Sequence, residues 1–269
     1  MKRITVFSLV LALFIVLGFF IFARERMIKQ PKEEILQKEL ETSSPETMEK
    51  AKITLITIYD NYKANPELKT GWGFSCLVKA EGKNILFDTG ADSETLLSNM
   101  KKMGIDPKEI DFIFISHLHG DHTGGLAGIL KIKPNLKVYK PESFSGQTQI
   151  INCIWTSDPL GTDIKEQSLI IESKQGLIII TGCAHPGVVN IIKKAKEMFP
   201  NENIYLVLGG FHLFGASDTE LKMIINDFKK LGVQKVAPCH CSGDRCRELF
   251  KQEYKENFIE NGVSKIIEI

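Results

Sequence analysis

No Cys-x-x-Cys pair occurs in this chain, and its six cysteines are spread over 269 residues. The first absence excludes a zinc ribbon and the second a disulfide framework, so neither kind of staple holds the fold. An excess of one charge is also missing: 34 Lys and Arg stand against 33 Asp and Glu, and no basic run stands out. A nucleic acid partner therefore finds no electrostatic footprint here. Histidine is scarce as well, with six in all and none before His117. What is plentiful is apolar residues, 43% of the chain, enough for one domain of ordinary size plus an appendage.

One apolar run is unusually long. Met1-Lys2-Arg3 is followed by Ile4 to Ala23 without a charged residue. About twenty apolar residues at ~1.5 Å each span roughly 30 Å, the thickness of a bilayer core. Residues 1–23 are therefore read as a transmembrane helix that anchors a single-pass membrane protein. A cleaved signal segment is the rival reading, but its apolar region should run to roughly 7–15 residues, and Ile21-Phe22-Ala23 is a poor cleavage site. No Cys stands near the end of the run, which excludes lipoprotein-type lipidation. Lys2 and Arg3 argue for an inside N-terminus and an extracytoplasmic catalytic domain, while Arg24, Arg26, Lys29 and Lys32 pull the other way; the first orientation is preferred. Residues 24–52 are charged, carry Pro31, Pro45 and Ser43-Ser44, and read as a tether to a domain spanning 53–269.

That domain alternates short apolar strands with helical spacing, the pattern of an α/β fold. Ile53 to Tyr59 is an alternating β-branched strand, and Gly71 to Val78 pairs with Asn84 to Gly90 across the turn Glu81-Gly82-Lys83. Phe112 to Ile115, Leu177 to Thr181, Ile204 to Leu208 and Val233 to Ala237 read as buried strands. Ser168 to Ser173 forms a hairpin with the second of these around Gln175-Gly176. Helices are expected around Ser93 to Met103, Gly125 to Leu130, Val188 to Met198 and Thr219 to Leu231. The stretch from Pro141 to Lys165 has no clear period and reads as an irregular loop that carries substrate contacts; Trp155 either lines that pocket or belongs to the core.

Chemistry gathers at the strand ends. Phe112 to Ile115 runs into Ser116-His117-Leu118-His119-Gly120-Asp121-His122-Thr123-Gly124-Gly125. Three imidazoles and a carboxylate within six residues are poor packing material, since each needs a polar partner if buried. They are good ligands for Zn²⁺, Fe or Mn. His117 and His119, two apart, can point to one side of an extended loop, whereas Asp121 and His122 diverge and suit a second metal. Three more apolar strands each end at a histidine, His185, His212 and His240, which accounts for all six in the chain. Histidine scattered for packing or solubility would fall elsewhere too.

The pattern His-x-His-x-Asp-His over His117 to His122 resembles the signature of the metallo-β-lactamase superfamily of metal-dependent hydrolases, with supporting matches from about Ile53 to the C-terminus. The resemblance implies a four-layer αββα sandwich holding two divalent ions, zinc first, with iron or manganese as alternatives. It implies His117, His119 and His185 as ligands of the first ion and Asp121, His122 and His240 as ligands of the second, with Asp88 steadying a ligand from beneath. The superfamily's bridging Asp is missing: Gly209-Gly210-Phe211-His212 stands in its place, so His212 is either a ligand or a hydrogen-bond donor beside one. Asp218 is a lesser alternative, better suited to cap the helix from Thr219. Two divalent ions, one Asp and a hydroxide leave a site of roughly +2, which favours a small substrate with an anionic group such as phosphate or carboxylate.

The implied activity is hydrolysis by a water activated between two ions, with Asp121 taking up or returning a proton. Lys165-Glu166-Gln167-Ser168-Leu169, Thr181-Gly182-Cys183-Ala184-His185, Gly209-Gly210-Phe211-His212-Leu213 and Pro238-x-His240-Cys241-Ser242-Gly243 are similar to the branch grouped with a dihydropterin ribofuranosyl-aminobenzene phosphate synthase. That branch implies a phosphorylated or pyrophosphorylated substrate and a second activity, transfer of a pterin-like group to a phosphorylated aryl ribose. A non-catalytic metal-binding sensor at the membrane is a third reading, which the intact ligand set argues against. Cys239, Cys241 and Cys246 flank the last ligand and read as ordinary thiols, with a thiolate ligand or redox control as the alternative.

Overall fold

Apolar runs that are continuous along a strand need cover on both faces, and two sheets with helices outside them supply it. The computed structural model describes residues 52–144 and 148–269. In the first sheet lie β1 (Thr54–Tyr59), β2 (Ser75–Ala80), β3 (Lys83–Phe87), β4 (Phe112–Phe114) and β5 (Lys137–Tyr139). In the second lie β6 (Thr148–Ile151), β7 (Ile154–Thr156), β8 (Leu169–Ser173), β9 (Gly176–Thr181), β10 (Ile204–Gly210) and β11 (Val233–Cys239). The C-terminal β12 (Ile266–Glu268) returns to pair with β1, so the orders are β12-β1-β2-β3-β4-β5 and β11-β10-β9-β8-β7-β6. The helices are α1 (Ser93–Lys102), α2 (Gly120–Thr123), α3 (Leu126–Ile132), α4 (Val188–Met198), α5 (Asp218–Lys230) and α6 (Asp244–Tyr254).

Period two sorts each strand's side chains between cores. Phe112 and Phe114 of β4 point into the space between the sheets, while Ile113 and Ile115 face α1 and α3, where Leu96, Met100 and Ile129 cover them. In β9, Ile178 and Ile180 face inward, and Leu177 and Ile179 meet Ile191 and Ile192 of α4 and Ile225 and Phe228 of α5. Helix, sheet, sheet and helix thus enclose three apolar cores. Each fully buried side chain of this kind contributes about 1.5–3 kcal/mol.

The mixed topology places the chemistry. β3, β4 and β5 run parallel in one sheet, and β9, β10 and β11 run parallel in the other. Ligands bind where parallel strands end, because the loops leaving them open a crevice. Asp88 follows β3, His117 follows β4, His185 follows β9, His212 follows β10, and His240 follows β11.

Two expectations change and one open choice is decided. The stretch Pro141 to Lys165 is not wholly irregular: it holds the antiparallel pair β6–β7, turning where Cys153 takes a positive φ of 59°. Trp155 belongs to the packing, with its Nε1 donating to Glu172 Oε1 at 2.7 Å and its ring against Phe199. α5 begins at Asp218 and is capped by Ser217, whose hydroxyl accepts from Glu220 N in a capping box, so Asp218 is free to pair with Arg245 at the surface. The expected anchor at 1–23 and the tether up to residue 51 lie outside the described residues. Among the described residues no helix is long and apolar enough to cross a membrane.

Candidate metal centre

The loop after β4 delivers His117 and His119, and the loop after β9 delivers His185. Their ring centroids lie 4.6 to 4.8 Å apart at steep angles to one another, and their ligand nitrogens converge within 4.8 Å. Nε2 of His117 and of His185 is buried without a hydrogen-bond partner. An unpaired buried ring nitrogen is costly unless something else occupies its lone pair, and a cation on the common axis of the three rings does so. Burial first, then neighbouring imidazoles, hold His117 neutral, well below the ordinary histidine range. His185 is pushed down to about 4 by burial and by His212. Neutral imidazole is the ligating form.

A second group adjoins the first, with His117 and His122 ring centroids 4.2 Å apart. α2 turns Asp121 and His122 to one side, and the turn after β11 brings His240 to meet them. Asp121 Oδ2 lies 3.6 Å from His122 Nε2 and 3.3 Å from His240 Nε2. Burial pushes the Asp121 carboxyl up, but the His240 hydrogen bond and the His122 charge outweigh it and hold it below the usual carboxylate range. Asp88 sits underneath, fully buried, accepting from Ser116 N and Ser116 Oγ at 2.7 Å and lying 2.6 Å from His122 Nδ1. That contact fixes the His122 tautomer and turns Nε2 into the site. Asn61 does the same for His240, 3.3 Å from its Nδ1.

His212 forms a third, overlapping group: its ligand nitrogen lies within 4.8 Å of Cys183 Sγ and of a ring nitrogen of His185. Its ring is exposed and lies 4.4 Å from that of His185, and hydrogen bonding to Cys241 raises its pKa. Cys239 and Cys246 sit in apolar cores, while Cys241 turns towards the centre, its thiol 3.5 Å from Cys183 O.

Two supports carried no assigned role in the sequence. Glu166 is almost fully buried, and its carboxylate accepts from the N–H groups of Gly182, Cys183, Ala184 and His185 at 2.7 to 3.1 Å. Four donors on one carboxylate clamp the whole ligand loop. The second is Cys183, whose thiol lies 3.2 Å from His122 Nε2 and 3.3 Å from His240 Nε2. Backbone strain marks the same place: Asp88, Ala184, His212 and His240 all have positive φ, a conformation costing roughly 1–3 kcal/mol in a side-chain-bearing residue.

Two cavities flank the first group. One of about 620 Å³ reaches His185 and is walled by Asn190, Lys193 and Lys194. The other, about 570 Å³, reaches His119 between Leu118, Phe144, Pro159 and Lys165, and both share Asp163 and Ile164. Over the second group Trp72 lies 5.0 Å from the His240 ring and edge-on to Phe214, and both aromatics are more than half exposed.

Comparison with known proteins agrees with this arrangement. The metallo-beta-lactamase superfamily pattern matches residues 73–193. The chain is 30% identical, over 80% of its length and 96% of the relative's, to the 7,8-dihydropterin-6-methyl-4-(beta-D-ribofuranosyl)-aminobenzene-5'-phosphate synthase of Methanocaldococcus jannaschii. A solved structure described as a metal-dependent hydrolase of the beta-lactamase superfamily superposes with a TM-score of 0.70 at 28% identity, covering 81% of this chain and 99% of that one. A shorter match, 45% identical, links 21% of this chain to 17% of the ribonuclease Z of Nanoarchaeum equitans.

Proposed function

Because this chain belongs to the metallo-β-lactamase superfamily, we propose that it is a metal-dependent hydrolase using two divalent ions, zinc first, on a small anionic, phosphorylated substrate. The observation that carries the reading is the pair of adjoining donor groups, one of them with two orphaned buried ring nitrogens, at the floor of a cleft. Paired divalent ions, when bound, supply an acidified water and a Lewis acid for the developing oxyanion. The chain's own groups supply the rest. Lys165 and Lys193 line the cavities and attract an anionic substrate group. Asp121, whose side chain keeps 20% of its surface, is placed to take up and return a proton. The test is metal content of the full-length chain paired with turnover of a phosphodiester and a lactone. About two ions per chain and turnover lost in His119→Ala support the reading; one ion or none removes it.

A second reading rests on the aromatic rim. Trp72 and Phe214, exposed beside His240 and His212, suit a flat ring on the substrate. That favours transfer of a pterin-like group to a phosphorylated aryl ribose, in keeping with a relative named as a dihydropterin ribofuranosyl-aminobenzene phosphate synthase. Trp72→Ala raises KM for a pterin substrate and leaves a simple phosphodiester untouched if this reading holds. A non-catalytic sensor predicts metal binding with no turnover of any of these.

The apolar segment at 1–23 supports a membrane-tethered enzyme with its catalytic domain outside, and the balanced charge supports a small molecule over a nucleic acid as substrate. Fractionation and protease accessibility of intact cells test the first, and a nuclease assay tests the second.

A further inference from the structure

The second donor group is one ligand short if only Asp121, His122 and His240 are counted and no carboxylate reaches it from β10. The reason none does is steric. Gly209 sits at φ +124°, where an added Cβ would lie 2.1 Å from Thr181 O, and a Cβ on Gly210 would lie 2.4 Å from Gly182 O and 2.7 Å from Cys241 Sγ. A carboxylate side chain fits at neither of these two positions.

We propose that Cys183 is the missing ligand: its thiolate binds the second metal ion together with Asp121, His122 and His240, in place of a bridging carboxylate. The inference rests on the binuclear reading above and specifies one of its two sites. The contacts around the group, Cys183 Sγ to His122 Nε2 at 3.2 Å, Cys183 Sγ to His240 Nε2 at 3.3 Å, and Asp121 Oδ2 to the same nitrogens at 3.6 and 3.3 Å, are too even for accident. Zinc bonds of about 2.0–2.2 Å to nitrogen and oxygen and about 2.3 Å to sulfur give tetrahedral edges of roughly 3.3–3.6 Å. Four of the contacts among these donors are therefore already at tetrahedral spacing, all four donor atoms lie within 4.8 Å of one another, and all but Asp121 are buried.

The thiol is also held there. It is one of the residues whose N–H is bound by Glu166, and the same carboxylate binds the N–H of His185, so one clamp sets a ligand of each site. On binding, the thiol proton leaves to solvent and sulfur donates a lone pair to the ion; nothing is oxidised or reduced. A thiolate lowers the centre's charge from roughly +2 to roughly +1, which still favours an anion but holds it less tightly.

The test is optical, made on the full-length chain in detergent loaded with Co²⁺. With two Co²⁺ per chain, wild type shows a thiolate-to-cobalt charge-transfer band in the near ultraviolet, Cys241→Ser keeps it, and Cys183→Ser loses it. Cys183→Ser also weakens the second Zn²⁺ at least as much as the loss of a supporting partner, about 10–100-fold. Should Cys183→Ser not fold, zinc X-ray absorption on the Zn²⁺-loaded Cys241→Ser chain decides: a sulfur shell at about 2.3 Å is expected, and its absence overturns the assignment. Two ions bound without the band, or the band lost in Cys241→Ser in place of Cys183→Ser, overturns the ligand assignment and leaves the binuclear reading standing. Fewer than two ions overturns both.

Discussion

The two halves of the centre are held in different ways. The first, His117, His119 and His185, is all imidazole, and two of its ring nitrogens are orphaned at the floor of a cleft. The loop that brings His185 to it is fixed through the backbone, by Glu166 gripping four successive N–H groups, and the Ser116 hydroxyl lies 2.9 Å from His117 Nδ1. The second, around Asp121, His122 and His240, is fixed through the side chains, by Asp88 beneath His122 and Asn61 behind His240. A backbone clamp leaves the rings' far sides open, and the cavities reach His119 and His185. In the second half Asp88 and Asn61 hold His122 and His240 at Nδ1, and neither cavity reaches those two rings. The contrast assigns substrate access to the first half and rigidity to the second.

The comparison breaks most sharply at His119. His119→Ala removes a ligand from the open half, so one ion is lost and turnover falls by at least about 10³-fold, while the second half keeps its ion. Metal analysis beside a kinetic assay checks both. Next in size is Glu166→Gln, which puts an amide in front of four N–H groups and leaves some of them unpaired. The cost is about 2–4 kcal/mol of stability, read by urea denaturation, together with a 10–100-fold loss of first-site Zn²⁺ affinity. Equal loss at both sites would show that the clamp serves Cys183 as much as His185.

The unequal supports also explain what was legible in the sequence. Ligands were visible because histidine is scarce and falls only at strand ends, and the sheets were visible because Phe112 to Ile115 and Leu177 to Ile180 are apolar on both faces. Asp88 could be placed because it directly ends a strand. Glu166 stands in the stretch Lys165 to Leu169, yet its partners are backbone N–H groups, which carry no residue signature. Cys183 was masked by three cysteines nearer the last histidine, and only the meeting of loops from both sheets singles it out. The β6–β7 pair leaves no clear period in the sequence because its strands are short and interrupted at Cys153.

Asp88→Asn sharpens the contrast at the closed half. The amide meets donors from Ser116 and His122 with a donor of its own, so His122 loses its orientation. Second-site affinity falls about 10-fold or more and the first site holds, measured by competition with a chromophoric chelator.

The smallest effect lies just outside the centre, at Asp60. It is fully buried, its Oδ1 accepts from Tyr62 N at 2.8 Å and from His240 N at 3.4 Å, and its Oδ2 has no partner. Burial pushes this carboxyl up to about 6 from its ordinary 3.8. The folded chain therefore holds the proton more tightly than the unfolded one between those two values. Stability is fullest below about pH 4 and is lost as pH rises towards 6, by up to about 3 kcal/mol from this group alone. In the metal-free chain Asp60→Asn removes that loss, so it is more stable than wild type at pH 7 by about 1–3 kcal/mol, with the difference closing as pH falls to 4. Parallel urea titrations at pH 4, 5, 6 and 7 read the difference directly. A difference that stays constant with pH would mean that Asp60 is already charged in the fold, and that the turn carrying His240 is held by charge as the His122 side is.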